Sequence, residues 1–129
     1  MHPKAKKYIE KLELIRHPEG GYFKEVYRSN ELIGREGLPG RYEGQRNIST
    51  SIYFLLEGED KSHFHKLKSD EVWHFYDGSP AKIYILSPGG ELTEKIIGLD
   101  LEKGERPQII IEKNNWFAAE LINKNSFML

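Results

Sequence analysis

The sequence predicts an all-β fold with one short N-terminal helix, built as a single domain over residues 1–129. Short segments rich in β-branched and aromatic residues recur along the chain, and Gly, Pro and Asn separate them about every eight to twelve residues. Only residues 5–14 show apolar residues at helical spacing. This pattern indicates an antiparallel sandwich or barrel rather than β-α-β units.

The helix is predicted from Ala5 to Leu14. Tyr8, Ile9 and Leu12 lie at helical spacing among Lys and Glu, and Pro3 suits the first turn. We expect this apolar stripe to pack against the sheet.

A turn at residues 17–21 leads into a predicted strand from Tyr22 to Arg28, where aromatic and charged residues alternate. Residues 29–46 hold four glycines and one proline among charged residues, so we expect a long loop that is either a lid or a solvated surface loop. The remaining strands are predicted at Ile48 to Leu56, Ser62 to His65, Glu71 to Tyr76, Lys82 to Leu86, Leu92 to Leu99, Pro107 to Ile111 and Trp116 to Ile122.

Composition excludes several classes of partner and site. Nineteen basic and 20 acidic residues give a formal net charge of −1, which does not favour a nucleic-acid or membrane partner. The absence of cysteine removes disulfides and thiolate ligands, so any metal must take nitrogen and oxygen ligands. No segment approaches bilayer length, and the expected location is the cytoplasm.

The segment between Gly58 and Gly78 carries the candidate chemistry. Alternation in a strand would point His63 and His65 at one place inside a barrel, and Glu71 could join them from the next strand. Two imidazoles and a carboxylate can hold a divalent metal with open positions. The alternative is a pair of interior histidines satisfied by hydrogen bonds alone.

These residues and their spacing resemble the first motif of the cupin superfamily, a double-stranded β-helix (jelly roll barrel). Further segments resemble the uncharacterised DUF985 or Cupin_5 subfamily; they are residues 17–23, 53–56, 64–65, 70–75 and 116–119. The resemblance implies a homodimeric small barrel with an interior ligand pocket, and it implies no established reaction.

Two departures from the cupin pattern bear on function. Phe117 stands about where the second motif normally supplies a further metal-binding histidine, so the ligand shell is incomplete. The chain also stops at residues 127–129, within an apolar run, where the subfamily usually continues into another strand. We expect either a truncated product or a neighbouring subunit that covers this edge.

The predicted ligand pocket combines aromatic walls with charged groups. Its members are Phe23, Glu25, Arg28, Arg46, Trp73, Phe75 and Trp116. The arginines could clamp a carboxylate or phosphate, and the aromatic residues could instead be ordinary core. We expect the ligand to be a small polar or acidic molecule.

Three functions remain open from sequence. In a sugar-nucleotide epimerase-like or isomerase-like enzyme, His65 with Glu71 would abstract a proton and Tyr53 would return one. In a metal-dependent enzyme, His63, His65 and Glu71 would hold a divalent metal ion. In a non-catalytic module, the same pocket would bind or sense a ligand without turnover.

Overall fold

A computed structural model describes residues 1–129 as one helix and twelve short strands. The helix, α1, spans Pro3–Lys11 and begins where the His2 side chain accepts the N–H of Lys4 at 3.2 Å. It ends earlier than predicted, and Glu13 follows in a left-handed conformation with φ of 56°. None of the helices is long and apolar enough to cross a membrane.

The twelve strands form two facing sheets and one separate two-stranded pair. They are β1 Ile15–Arg16, β2 Tyr22–Arg28, β3 Leu32–Ile33, β4 Arg46–Asn47, β5 Thr50–Glu57, β6 Lys61–Lys66, β7 Glu71–His74, β8 Ala81–Leu86, β9 Leu92–Ile97, β10 Gln108–Ile111, β11 Trp116–Leu121 and β12 Phe127–Met128. One sheet has the order β1-β2-β5-β12, and the facing sheet has the order β6-β11-β8-β9. The pair β7-β10 extends the first sheet beyond β12, as described next.

The C-terminal residues join β5 to the segment that follows β7. Met128 pairs with Leu56 on one side and bridges to Gly78 on the other. Leu129 donates its N–H to the Asp77 carbonyl at 2.9 Å, and Phe127 accepts from the Ser79 N–H at 2.7 Å. The apolar C-terminal run is therefore buried within the chain, whereas its sequence predicted an edge in need of cover.

Most predicted strands are present with small changes at their ends. Strand β2 has the predicted bounds, and the central strand begins at Thr50 rather than Ile48. The two-residue strands β1, β3, β4 and β12 were not predicted, because pairs this short carry no periodic pattern. The predicted loop at residues 29–46 contains β3, one 3₁₀ turn and the start of β4.

Alternation along β5 separates two apolar clusters. Phe54 and Leu56 face the inner core between the sheets, which includes Ile83, Ile111 and Phe117. Tyr53 and Leu55 face the other way and pack with the helix; this outer cluster also contains Ala5, Leu14, Phe127 and Leu129. The helix thus covers the outside of one sheet, as its apolar stripe predicted.

Two β-bulges interrupt the alternation and determine which polar side chains face inward. In β2, Glu25 pairs with Ile52 but Tyr27 pairs with Ser51, so Val26 is an extra residue. In β6, Ser62 pairs with Ala119 and His65 pairs with Phe117, so residues 63 and 64 together face Ala118. Beyond each bulge the sequence parity of inward residues is reversed.

Gly78 allows the close approach of the C-terminal strand, which yields a stability prediction. A Cβ at Gly78 would lie 2.1 Å from the Phe127 carbonyl oxygen, and φ is +103°. Gly90 has a similar φ of +87° but no neighbour within 4 Å. We expect Gly90→Ala to cost about 1–2 kcal/mol from backbone strain alone, and Gly78→Ala to cost about 3 kcal/mol or more.

Denaturant unfolding of both variants measures the difference between backbone strain and steric clash. Equal losses for the two variants would mean that the contact between Gly78 and Phe127 is unimportant to stability.

Candidate functional site

The candidate site lies between the sheets, where aromatic rings surround one histidine. The His65 ring is 4.2 Å from the ring of fully buried Phe117 and 6.4 Å from that of His17, measured between centroids. On the facing sheet, the centroids of Phe54 and Trp73 lie 5.5 Å apart. The site is therefore apolar around a small polar centre.

His17 belongs to this centre, and sequence reasoning missed it. Its ring lies 4.8 Å from Phe23 and 5.7 Å from Phe54, edge-on to both. The turn that carries it packs tightly on β6: the Glu19 carbonyl accepts the His63 N–H at 2.7 Å. Within the turn, a Cβ at Gly20 would lie 1.8 Å from the Lys61 carbonyl oxygen, so only glycine fits there.

Backbone groups determine which nitrogen of each imidazole carries the proton. His65 Nδ1 lies 2.7 Å from the His63 carbonyl oxygen, which can only accept, so Nδ1 carries the proton and Nε2 is the acceptor. His17 Nδ1 accepts the Glu19 N–H at 2.9 Å, so its proton is on Nε2. Burial and the neighbouring His65 lower the pKa of His17, which favours this neutral form.

Glu71 completes the polar centre from β7. Burial raises the pKa of Glu71 above its ordinary value, while the Trp73 indole N–H and the nearby His65 act in the opposite direction. Trp73 donates to Glu71 Oε1 and packs against the inner core. The charge of His65 thus acts on Glu71, whose one side-chain hydrogen bond comes from Trp73.

His63 does not join them, because the bulge in β6 turns it to the outer face. It is exposed and lines a shallow cleft of about 210 Å³ with Tyr84, Ala118 and Glu120. The predicted metal set of His63, His65 and Glu71 is thus not brought together. No group of three or more His, Asp or Glu side chains in the structure could hold a metal ion.

His17 does not supply the missing ligand either. A metal takes the unprotonated nitrogen of an imidazole, but His17 Nδ1 already accepts a backbone N–H and Nε2 carries the proton. The donor set therefore does not fit a divalent metal.

Two predicted site residues lie on outer faces. Tyr53, predicted as a proton donor, packs with the helix-side cluster and has its ring 6.2 Å from that of Tyr76. Trp116 is 44% exposed, with the Lys66 Nζ 5.4 Å from its ring centroid. Alternation along β11 turns Phe117 inward in its place.

The other predicted pocket residues, except Arg46, are distributed along the inner face. Phe23 contacts His17, and Trp73 and Phe75 are both half-buried against the inner core. Glu25 pairs with Ile52 and Arg28 with Thr50, so both follow Phe23 towards the open end of the sheet. Arg46 instead lies over the Tyr42 ring, 5.6 Å from its centroid.

Tyr42 anchors the long loop beside the site. It is buried, and its hydroxyl donates to the Lys68 carbonyl at 3.1 Å and contacts Ser69 Oγ. Arg41 donates to the same carbonyl at 2.7 Å. The loop is therefore attached to the turn that joins the strand of His65 to the strand of Glu71.

Comparison with known proteins places this geometry in a family. The solved structure of protein SO0799 from Shewanella oneidensis is 40% identical with a TM-score of 0.85, and the match covers 96% of this chain and 72% of that one. A hypothetical protein from Leishmania major is 27% identical with a TM-score of 0.81, covering 96% and 80% respectively.

The uncharacterized protein YML079W of Saccharomyces cerevisiae is 31% identical over 125 residues, or 92% of this chain. This chain spans 62% of the length of the yeast protein. The family Cupin_5, described as cupin superfamily (DUF985), matches residues 6–129. With its two facing sheets and a family match over nearly its whole length, the chain belongs to the Cupin_5 (DUF985) family of the cupin superfamily.

Proposed function

We propose that this protein binds a small polar or acidic molecule between its sheets and moves a proton on it, as an epimerase-like or isomerase-like enzyme. The observation that carries the proposal is the opposite protonation of two neighbouring imidazoles, 6.4 Å apart between ring centroids. His65 offers an acceptor at Nε2, and His17 offers a donor at Nε2. A base and a hydrogen-bond donor that face one ligand can abstract a proton next to a carbonyl and stabilise the enolate that forms.

The roles follow from these protons. His65 Nε2 takes a proton from a carbon next to a carbonyl, and the resulting imidazolium is stabilised by the Glu71 carboxylate. His17 Nε2–H donates a hydrogen bond to the carbonyl oxygen and stabilises the enolate that forms, and the His65 imidazolium then returns the proton to carbon. Burial raises the pKa of Glu71 above its ordinary value, so this carboxylate accepts a proton more readily than an exposed one.

The aromatic lining favours a second candidate, a non-catalytic binding module. Phe23, Phe54 and Trp73 offer flat apolar faces that stack on a ring-shaped ligand without any reaction. The two candidates differ in one observable, which is exchange of a carbon-bound hydrogen with solvent.

Hydrogen exchange in D₂O tests the catalytic proposal. With a panel of keto sugars and keto-sugar nucleotides followed by proton NMR, we expect the wild type to exchange a hydrogen next to the carbonyl. His65→Ala and Glu71→Gln should slow the exchange by about 10²-fold or more, because each loses part of the base. His17→Ala should slow exchange as well, because the enolate loses its hydrogen bond.

His63→Ala is the matched control, since His63 lies in the same strand on the outer face. It should keep wild-type rates. Exchange that survives His65→Ala, or that His63→Ala abolishes, would contradict the proposed roles. A ligand that binds without exchange on any panel member would favour the binding module.

Metal addition gives a separate prediction. Because the donor set does not fit a divalent metal, Mn²⁺, Fe²⁺, Ni²⁺ and Zn²⁺ should leave the melting temperature unchanged, and a chelator should not slow exchange. A metal-dependent rise in melting temperature that His65→Ala removes would restore the metal-enzyme hypothesis.

The raised pKa of Glu71 predicts a pH-dependent stability difference. The folded state holds the proton of Glu71 more tightly than the unfolded state, so its contribution is complete below the ordinary pKa of 4.5 and declines as pH rises through the raised value. Glu71→Gln removes this decline and keeps an acceptor for Trp73. We expect its melting temperature to gain on the wild type between about pH 4 and about pH 8.

Thermal unfolding across this pH range checks the sign. A wild-type advantage that grows with pH would mean that the Glu71 carboxylate is stabilised, rather than penalised, by its surroundings.

A further inference from the structure

Arg28 reaches the inner face of the sheet because of the bulge in β2. Phe23 pairs with Phe54 and Glu25 with Ile52, which continues the inward stripe of β5. The extra residue Val26 then returns Arg28 to the same face, opposite Thr50. Without the bulge, alternation would turn Arg28 outward.

The guanidinium of Arg28 is held in position but remains open to a ligand. It donates to Asn47 Oδ1 at 2.9 Å and to Glu25 Oε1 at 2.6 Å. Its side chain is still 55% exposed, and its other N–H groups have no protein acceptor. An arginine oriented in this way can bind an oxyanion with two parallel hydrogen bonds.

The neighbouring arginines are already engaged. Arg41 lies 4.8 Å from the Tyr42 ring centroid and donates to the Lys68 carbonyl. Arg46 lies over the same ring, 5.6 Å from the Tyr42 centroid. Arg28 is therefore the guanidinium best placed to contact a ligand that enters between the sheets.

The inward-facing residues of β5 also indicate how long a ligand must be. Four residues of β5 separate Thr50, opposite Arg28, from Phe54, whose ring contacts that of His17. At about 3.4 Å per residue this is about 14 Å along the strand. A ligand that reaches both ends must extend over roughly this distance.

We propose that Arg28 binds the anionic group, a phosphate or a carboxylate, of an elongated substrate whose other end reaches His17 and His65. This inference rests on the proposed function for the inner end and adds the class of substrate to it. Glu25 orients Arg28 and competes with the ligand anion for the same charge.

Binding measurements with charge-matched variants test the proposal. The probes are uridine diphosphate, inorganic pyrophosphate and the carboxylate galacturonate, with uridine as the uncharged control, measured by titration calorimetry. Lys24→Ala is the matched variant, because Lys24 lies in the same strand on the outer face, where it pairs with Glu13. It removes one positive charge without touching the proposed site.

For the anionic probe that binds the wild type, we expect Arg28→Ala to lower the affinity by about tenfold or more, because charge-assisted hydrogen bonds are lost. Arg28→Lys should recover only part of the affinity, because lysine lacks the fork. Glu25→Gln should tighten binding, and Lys24→Ala should leave it unchanged. The preferred probe distinguishes phosphate from carboxylate.

Three results would overturn the assignment of Arg28: no anionic probe binding the wild type at millimolar concentration, uridine binding as well as uridine diphosphate, or equal losses in Arg28→Ala and Lys24→Ala. His65→Ala separates this proposal from the proposed function. Anion binding that survives in this variant supports the role of Arg28 even where hydrogen exchange is absent.

Discussion

The positions of two inserted residues control the polar interior of this barrel. In an ordinary strand, alternation sends every second side chain to the core, and the remaining sheet contacts here obey that rule. The bulges in β2 and β6 break it at Val26 and at residues 63–64. They bring Arg28 and His65 to the inside and send His63 to the outside, so the chemistry of the interior depends on local twist and register.

The interior must also satisfy its polar groups in apolar surroundings. Glu71 lies among aromatic rings and receives one indole hydrogen bond, which does not compensate fully for its burial, so its pKa remains raised. His17 and His65 each use one nitrogen for a main-chain group. The remaining nitrogen of each ring is left for a ligand, and this combination of constraint and availability is typical of binding sites.

The architecture could be predicted from sequence because strand periodicity and turn residues act locally, as the predicted bounds of β2 show. Side-chain direction could not, because a bulge depends on pairing with a strand far along the chain: His63 was placed inward with His65 by simple alternation, and the bulge in β6 turns it outward. His17 was missed because its Pro-Glu-Gly-Gly context indicates a turn, while its contact with His65 is a tertiary event. The packing of this turn on β6, which brings His17 near His65, is visible only in the fold.

The proton arrangement of the two imidazoles has an evolutionary consequence. The atoms that select each tautomer are the His63 carbonyl oxygen and the Glu19 amide, both of which every residue other than proline can provide. Side chains at positions 19 and 63 can therefore differ between relatives while the tautomers of both rings are kept. A mechanistic feature of this kind would leave no trace in the amino-acid identities at the positions that enforce it.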